Sequence, residues 1–224
     1  MSAPLLLGHR GSPRQHPENT LAGFQAAVAA GLGGIELDVQ CLADGTLAVH
    51  HDPDLADGRA LYRLTRAELP APVPTLPGVL AWAVAAGTFV NVEIKADPRV
   101  TDDRAALTVQ AIRAAGLEQV IISSFDVPTL AAVRSLAPEL ECGYLFDPRE
   151  QSSADAVAQA LALGCAALHP HFAAVSEESL AHAHAAGLRV NVWTVNDAAE
   201  VARLRALGAD GLIGDVPAVL LGRS

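Results

Sequence analysis

The sequence predicts an α/β protein, a (β/α)8 barrel with a β-hairpin inserted after its second strand. Short apolar runs of β type alternate along the chain with Ala- and Leu-rich helical stretches, and the runs of β type number eight. Several helical stretches end in a glycine, the residue that best adopts the left-handed conformation beyond a helix C-terminus. Eight units of strand and helix are the pattern of a closed parallel barrel. An open doubly wound sheet is the alternative.

The predicted elements follow one another in a regular order. The strands cover residues 5–7, 35–39, 90–94, 120–123, 142–145, 166–168, 190–194 and 211–213. The helices between them cover residues 21–30, 76–86, 104–115, 129–136, 154–163, 177–186 and 198–207. Thr75, Ser176 and Asp197 precede three of these helices, and their side chains are of the kind that caps a helix N-terminus. We expect one barrel domain over residues 1–224.

One apolar run breaks the alternation. Residues 47–50 follow Val39 across Asp44 and Gly45, a dipeptide typical of hairpin turns. The gap is too short for a helical crossover, so this run should pair antiparallel with the extended second strand. We expect the hairpin to bring His51 back to the mouth of the barrel.

Composition and charge limit the class of partner. The formal net charge is −10 and no basic run is present, which argues against nucleic acid. No apolar run approaches the ~18 residues of a membrane span. Cys41, Cys142 and Cys165 are odd in number and widely spaced, which predicts reduced thiols in a cytoplasmic protein. We expect a small-molecule substrate, and the sequence leaves the oligomeric state open.

Carboxylates lie at the ends of two predicted strands. Glu36 and Asp38 are two residues apart in one strand, so their side chains point to the same face, and Glu93 ends the next parallel strand. Because acids that face a barrel interior repel each other and lose hydration, a cation between them would stabilise the group. An oxygen ligand set suits Mg²⁺ or Ca²⁺ better than zinc. The sequence predicts a site for one divalent cation; the alternative is that the acids face solvent at a frayed strand end.

Two histidines accompany these acids. His9 and His51 each follow an apolar run, and each is followed by a charged residue, Arg10 and Asp52. Phosphodiester cleavage needs one group to take a proton from the nucleophile and another to protonate the leaving alkoxide. We assign His51 as the acid and His9 as the base or as an orienter of the phosphate.

Other side chains are predicted to bind the substrate. Arg10 and Lys95 should hold the phosphate, the first by paired hydrogen bonds and the second as a point charge; the alternative for Lys95 is an ion pair with a neighbouring acid. Phe125 and Trp193 are candidates for packing on the glycerol or the alcohol, and the alternative is the core. His169 follows the sixth strand and is a further candidate for reaching the site.

Nine short motifs connect these residues. They are His-Arg-Gly at 9–11, Pro-Glu-Asn-Thr at 17–20, Ile-Glu-Leu-Asp-Val at 35–39, Asp-Gly at 44–45, His-Asp at 51–52, Val-Glu-Ile-Lys at 92–95, Ser-Ser-Phe at 123–125, Val-Trp-Thr-Val-Asn at 192–196 and Gly-Leu-Ile-Gly-Asp-Val-Pro at 211–217. In this order the chain resembles the glycerophosphodiester phosphodiesterase family over nearly its whole length.

The resemblance implies a metal-dependent (β/α)8 barrel. Members of the family split glycerophosphodiesters, such as glycerophosphocholine and glycerophosphoethanolamine, into sn-glycerol 3-phosphate and an alcohol. By motif match the catalytic histidines fall on His9 and His51, and the metal ligands on Glu36, Asp38 and Glu93. It also implies that Glu18 and Asn19 cap the first helix and brace the loop of His9.

Three departures from the family's motifs bear on substrate choice. The usual Arg-Thr-Thr after His-Asp is missing, and residues 56–59 stand near its place. Gly214 replaces the threonine of the last motif, and the loop at residues 12–16 is more polar and cationic than is usual. Two alternatives to the leading function remain: a lysophospholipase D or sphingomyelinase D-like enzyme on the same barrel, or a non-catalytic protein that binds glycerophosphodiesters.

Overall fold

In a computed structural model of the chain, which describes residues 3–223, parallel strands close into a barrel. The strands are β1 (Leu5–Gly8), β2 (Gly34–Cys41), β3 (Leu47–Val49), β4 (Phe89–Ile94), β5 (Val120–Ser124), β6 (Cys142–Phe146), β7 (Ala167–Pro170), β8 (Arg189–Val192) and β9 (Gly211–Gly214). The pairings between these strands are all parallel except that of β2 with β3, and β1 pairs with both β2 and β9, which closes the sheet. The predicted barrel of eight parallel strands is confirmed.

Helices follow the strands and cover the barrel. They are α1 (Leu21–Ala30), α2 (Leu76–Ala86), α3 (Arg104–Ala115), α4 (Val127–Leu136), α5 (Ser153–Ala162), α6 (Glu177–Ala185), α7 (Ala198–Leu207) and α8 (Pro217–Leu220). The main core lies between strands and helices, where Leu37 and Val92 pack with Leu80 of α2. No helix among residues 3–223 is long and apolar enough to cross a membrane.

The first helix begins differently from what the resemblance implied. Thr20 is its N-cap, and the Thr20 side chain accepts a hydrogen bond from the backbone N–H of Gly23. The implied cap of Glu18 and Asn19 is therefore wrong, but the implied bracing of the His9 loop is observed, because the backbone N–H of Asn19 donates to the carbonyl of Arg10 at 3.0 Å. A hydroxyl at this position satisfies a helix N–H that lacks an intrahelical partner, which leaves the other two side chains to the site described below.

The hairpin strand β3 begins an inserted segment, residues 47–75, that leads to α2. Val49 pairs antiparallel with Val39, and Leu47 with Cys41, as the turn signal predicted. A small apolar cluster, separate from the main core, joins this segment to Leu42 just after β2; its other members are Ala48, Leu55, Leu61, Leu64 and Leu69. Residues beyond β3 thus pack on one another at the rim of the barrel.

Candidate active site

A cavity of about 490 Å³ opens at the carboxyl ends of the strands. Its lining residues are His9, Arg10, Glu36, His51, Asn91, Glu93, Lys95, Phe125, Leu145, Asp147, Arg149, Glu150, Trp193, Thr194 and Ile213. This end of a barrel is where active sites of the fold lie, because the loops that follow the strands meet there.

Three buried carboxylates lie together in the barrel. Asp38 of β2 is in register with Glu93 of β4, and Glu36 lies on the same face as Asp38. Each of the three offers an oxygen within 4.8 Å of the others. Burial and the charge of Asp38 raise the pKa of Glu36 to about 8, and the same two causes raise the pKa of Glu93. Clustered acids that resist ionisation in this way would be stabilised by a bound cation.

One carboxylate oxygen supports the fit of a metal ion. Glu36 Oε1 is buried and receives no hydrogen bond from residues 3–223. The other oxygen, Oε2, accepts from the backbone N–H of Arg10 at 2.9 Å. Arg10 has a φ of 51°, in the left-handed region that side chains other than glycine rarely adopt. A buried acceptor without a partner is costly, so the oxygens of these acids are suited to coordinate a hard divalent cation.

Asp38 differs from the other two acids because cations surround it. Lys95 Nζ lies 3.1 Å from Asp38 Oδ1, and Arg10 Nε lies 3.3 Å from Oδ2. Asn19 Nδ2 also donates to Oδ2 at 2.8 Å. Burial raises the pKa of Asp38, but the charges of Lys95 and Arg10 outweigh it, and the pKa is below its ordinary value. Asn19 thus braces a carboxylate rather than the helix, which the sequence did not indicate.

His9 follows β1 and contacts an acid that follows β9. Its Nδ1 lies 2.7 Å from Asp215 Oδ1, while Nε2 lies 4.0 Å from Glu36 Oε2. Burial lowers the pKa of His9, but the hydrogen bond with Asp215 and the charge of Glu36 raise it above its ordinary value. A cation at Glu36 would oppose the effect of that carboxylate.

His51 lies on the inserted segment. Its Nδ1 is 2.7 Å from Asp52 Oδ1, and its backbone carbonyl accepts from Nε2 of the buried Gln40 at 2.9 Å. Burial lowers the pKa of His51 below its ordinary value, although the charge of Asp38 opposes the change. The loop is also held by Arg99, which donates to the Asp54 carboxylate at 3.0 Å and to the backbone carbonyl of Pro53 at 3.4 Å.

The two predicted phosphate ligands line the cavity but have acidic partners. Arg10 Nη1 donates to both carboxylate oxygens of Glu18 at 3.1 Å. Lys95 Nζ lies 2.5 Å from Glu93 Oε1, which matches the ion pair considered as its alternative. The side chains of Arg10 and Lys95 remain partly exposed, at 19% and 17%. Both cations are therefore accessible to an anion in the cavity.

Two aromatic side chains form one wall of the cavity. Phe125 and Trp193 meet edge to face, with ring centroids 5.6 Å apart, and 41% of Phe125 is exposed. Asp147 and Arg149 also line the cavity, as an ion pair, and the sequence did not single them out. The lining thus offers both apolar faces and a pair of opposite charges.

His169 does not reach the cavity, contrary to what the sequence suggested. It is completely buried, and its Nε2 lies 2.9 Å from Asn191 Nδ2. The ring occupies space left by Gly143 of the neighbouring strand, where a Cβ atom would come within 2.3 Å of Nε2. Burial lowers the pKa of His169 to about 3, so the ring is neutral. It packs in the barrel interior, and its backbone carbonyl accepts from Trp193 Nε1 at 2.8 Å.

The three departures from the family motifs occupy different places. Residues 56–59 lie on the inserted segment, where Arg59 donates to Asp57 at 2.8 Å, and they do not line the cavity. At Gly214 a Cβ atom would lie 2.3 Å from the carbonyl oxygen of Val195. In this backbone a threonine would not fit there. Arg14 of the first loop lies 3.9 Å from Asp215 and is largely exposed.

Known proteins are similar to this chain in sequence and in fold. A glycerophosphodiester phosphodiesterase of Caldanaerobacter subterraneus subsp. tengcongensis is 30% identical, with 97% of this chain and 96% of the relative covered. A phosphodiesterase of Oleispira antarctica, solved in complex with the product sn-glycerol-3-phosphate, is 27% identical with a TM-score of 0.89, covering 98% of this chain and 96% of its own. A glycerophosphodiester phosphodiesterase of Thermotoga maritima is 28% identical with a TM-score of 0.80, covering 99% and 98%.

The family comparison agrees with the motifs and the barrel. The model of the Glycerophosphoryl diester phosphodiesterase family matches residues 9–219, which include both histidines of the cavity and the three clustered carboxylates. The resemblance stated from the sequence is thereby confirmed. The chain belongs to the glycerophosphoryl diester phosphodiesterase family.

Proposed function

We propose that the protein hydrolyses glycerophosphodiesters, such as glycerophosphocholine and glycerophosphoethanolamine, to sn-glycerol 3-phosphate and an alcohol. The observation that carries this proposal is one cavity lined by two histidines and by the cations Arg10 and Lys95, beside a cluster of buried carboxylates. The product bound to the relative from Oleispira antarctica supports the glycerol phosphate half of the substrate.

In the proposed reaction the histidines move two protons. His9 takes the proton of the attacking oxygen, which belongs to water or to the glycerol 2-hydroxyl. As the new P–O bond forms, the bond to the alcohol breaks, and His51 gives a proton to the leaving alkoxide. With the 2-hydroxyl as nucleophile, the product is a cyclic phosphate that a water molecule then opens. The two imidazoles line the same cavity, which supports their acting on one substrate.

Arg10 and Lys95 bind the phosphate in this proposal. Both have acidic partners in the structure, so the phosphate competes for Arg10 with Glu18 and for Lys95 with Glu93. Arg10 can offer paired N–H groups to two phosphate oxygens, whereas Lys95 offers a compact charge. Phe125 and Trp193 pack on the glycerol or the alcohol, which their position on one wall supports.

Glu36, Asp38 and Glu93 would hold one divalent cation, which we propose to be Mg²⁺ or Ca²⁺. Oxygen ligands are what these hard cations bind. When bound, the cation would supply a charge that polarises a phosphate oxygen and neutralises the negative charge developing at phosphorus.

A direct assay tests the proposal. The purified protein is stripped with EDTA and supplied with Mg²⁺, Ca²⁺ or Mn²⁺, and the release of glycerol 3-phosphate from glycerophosphocholine is measured with each. We expect release to stop with EDTA and to return with a divalent cation. No release from a panel of glycerophosphodiesters by folded protein would overturn the proposal, and cleavage of lysophospholipids or sphingomyelin instead would support the alternative lipid-cleaving function.

The proposed location is the cytoplasm. Cys41, Cys142 and Cys165 are free and buried, and burial raises the pKa of their thiols to about 11, 12 and 11. Reduced, unreactive thiols are typical of proteins in a reducing compartment. Cell fractionation with an antibody against the protein tests this location.

A further inference from the structure

A chain of hydrogen bonds leads from the loop after β8 to His9. Asn196 Nδ2 donates to Asp215 Oδ2 at 2.6 Å, and the backbone N–H of Asp215 donates to Asn196 Oδ1 at 2.8 Å. The remaining oxygen, Asp215 Oδ1, lies 2.7 Å from His9 Nδ1. The backbone of Asp215 therefore fixes the amide of Asn196, and that amide in turn holds one carboxylate oxygen of Asp215 while the other oxygen faces the imidazole.

The closure of the barrel brings these three residues together. The backbone N–H of His9 donates to the carbonyl of Gly214 at 2.9 Å, so the residue after β1 lies beside the end of β9. Val195 N–H donates to Ile213 at 2.9 Å, which places the loop after β8 on the other side of β9. At Gly214 the two backbones approach so closely that a Cβ atom would contact the Val195 carbonyl. Glycine at this position permits the approach that brings Asn196 to Asp215.

The chemistry of the acid determines which nitrogen of His9 carries the proton. Burial raises the pKa of Asp215, but the hydrogen bond and charge of His9 lower it below its ordinary value. An ionised carboxylate can only accept hydrogen bonds, so Nδ1 of His9 must be the donor. The lone pair of the neutral ring then belongs to Nε2, which is 4.0 Å from Glu36 Oε2 and beyond hydrogen-bond distance.

We propose that Asp215 is a positioning residue, held by Asn196, that keeps His9 protonated on Nδ1 and so presents Nε2 to the substrate. The inference rests on the proposed function in one respect, namely that His9 transfers a proton. An acid behind an imidazole fixes its tautomer and orientation and stabilises the imidazolium that forms when the ring takes a proton. Neither Asp215 nor Asn196 touches the reacting atoms in this proposal.

Two measurements on the Mg²⁺-loaded protein test the proposal. The first is nitrogen-15 NMR of the histidine rings, which distinguishes the Nδ1–H tautomer from the Nε2–H tautomer without any substrate, with His9→Asn used to assign the signals. In the native protein we expect neutral His9 as Nδ1–H. In Asp215→Asn the amide can donate to Nδ1, so we expect the Nε2–H tautomer to gain population.

The second measurement is the kinetics of the same variants. We expect Asp215→Asn to lower kcat by ~10² or more, as is usual when a catalytic imidazole loses its orienting acid, while KM changes by less than about threefold because no substrate contact is lost. Asn196→Ala should lower kcat by about tenfold with the same small change in KM. Asp210→Asn is the matched control, because Asp210 contacts His184 at 2.8 Å away from the cavity lining, and we expect native kcat.

The outcomes separate this inference from the proposed function. If the native protein cleaves no glycerophosphodiester, the proposed function fails, while the NMR comparison still decides the role of Asp215. The inference is overturned if Asp215→Asn folds with the native melting temperature and keeps His9 as Nδ1–H, or if native His9 carries its proton on Nε2. Should Asp215→Asn unfold, Asp215→Ala decides, because it removes the acceptor of His9 Nδ1 altogether: a mixed His9 tautomer supports the inference, and an unchanged Nδ1–H tautomer overturns it.

Discussion

The two histidines of the cavity have the same kind of partner but different surroundings. In both, Nδ1 lies 2.7 Å from a carboxylate oxygen, of Asp215 in the first pair and of Asp52 in the second. The side chain of Asp215 is 16% exposed and is bound by Asn196, whereas that of Asp52 is 70% exposed. His9 belongs to the barrel itself, and His51 belongs to the inserted segment.

The difference shows that two histidine–carboxylate contacts of equal length can restrict the imidazole ring to different extents. An exposed ion pair contributes little, because water competes for both partners and the side chains lose entropy when they are ordered. A carboxylate that is partly buried and already held by a further hydrogen bond, as Asp215 is by Asn196, loses less entropy on forming the same contact. We therefore expect the barrel to define the orientation of the His9 ring, and the backbone of the inserted segment to define the position of His51.

The largest expected effect is the loss of either imidazole. His9→Ala and His51→Ala should each lower turnover by about 10²–10⁴-fold, the usual contribution of a general acid or base. Metal binding, measured by isothermal titration calorimetry, should change little in His51→Ala. His182 is exposed on α6, so His182→Ala serves as the control. Near-native turnover of His51→Ala would remove that residue from the reaction.

A substitution in the small cluster should show whether the inserted segment and the barrel unfold separately. Leu61 is 1% exposed in the small cluster of the inserted segment, and Leu61→Ala should cost about 3 kcal/mol at such a buried site. Hydrogen exchange should speed up in residues 47–75 while β1 and β9 stay protected. Leu80→Ala, in the main core, is the matched variant and should weaken the barrel strands. Equal loss of protection throughout the barrel in Leu61→Ala would mean that the segment has no stability of its own.

A third histidine, His169, extends the comparison to an imidazole whose hydrogen-bond partner is an amide, Asn191, rather than a carboxylate. Its pKa of about 3 in the folded protein lies below the ordinary value of 6.5, so below pH 6.5 the unfolded chain binds a proton that the folded protein does not. The contribution of His169 to the free energy of unfolding is full above pH 6.5. It decreases as the pH falls toward the pKa of the folded state, and the loss is ~2 kcal/mol at pH 5.

Urea unfolding at pH 7.5 and pH 5 measures this effect. His169→Gln should lose less stability between the two pH values than the native protein does, because glutamine does not titrate. The same pH dependence in both proteins would show that His169 titrates alike in the folded and unfolded states.

The smallest effect concerns how the inserted segment is fastened. Arg99 joins Asp54 of that segment to Asp97 after β4, and its side chain is 39% exposed. Because such exposed pairs are weak, Arg99→Gln should lower kcat by roughly two- to fivefold through a looser His51 loop. Arg113→Gln, which breaks a comparable pair between α3 and Glu139 in the loop after α4, should leave kcat unchanged. A similar decrease in both variants would rule out a specific contribution from Arg99.

The sequence was sufficient for the barrel and for the cluster of acids. Eight alternating units gave the strand number, and the two-residue spacing of Glu36 and Asp38 placed them on one face, where the structure finds them with Glu93. Both inferences use local periodicity, which depends on chain geometry alone. The hairpin of β3 was predictable for the same reason, because Asp44 and Gly45 allow a tight turn.

Contacts between distant strands were not predictable in this way. Asp215 reaches His9 across 206 positions of sequence, and the contact depends on the register by which β9 pairs with β1. How deeply a side chain lies within the barrel also depends on contacts between strands that are distant in sequence. His169 ends a strand like the cavity residues, but Gly143 on β6 leaves room for its ring inside the barrel, so it packs with Asn191 below the mouth.

The separate cluster of the inserted segment makes the enzyme modular. Since Leu55, Leu61, Leu64 and Leu69 pack with one another beside β2 and β3, the residues between them can change in length or type without repacking the barrel. Residues 56–59, which depart from the family motif, lie in this part. Residues 47–75, which include His51, could therefore be exchanged among relatives while the proposed metal ligands stay in place.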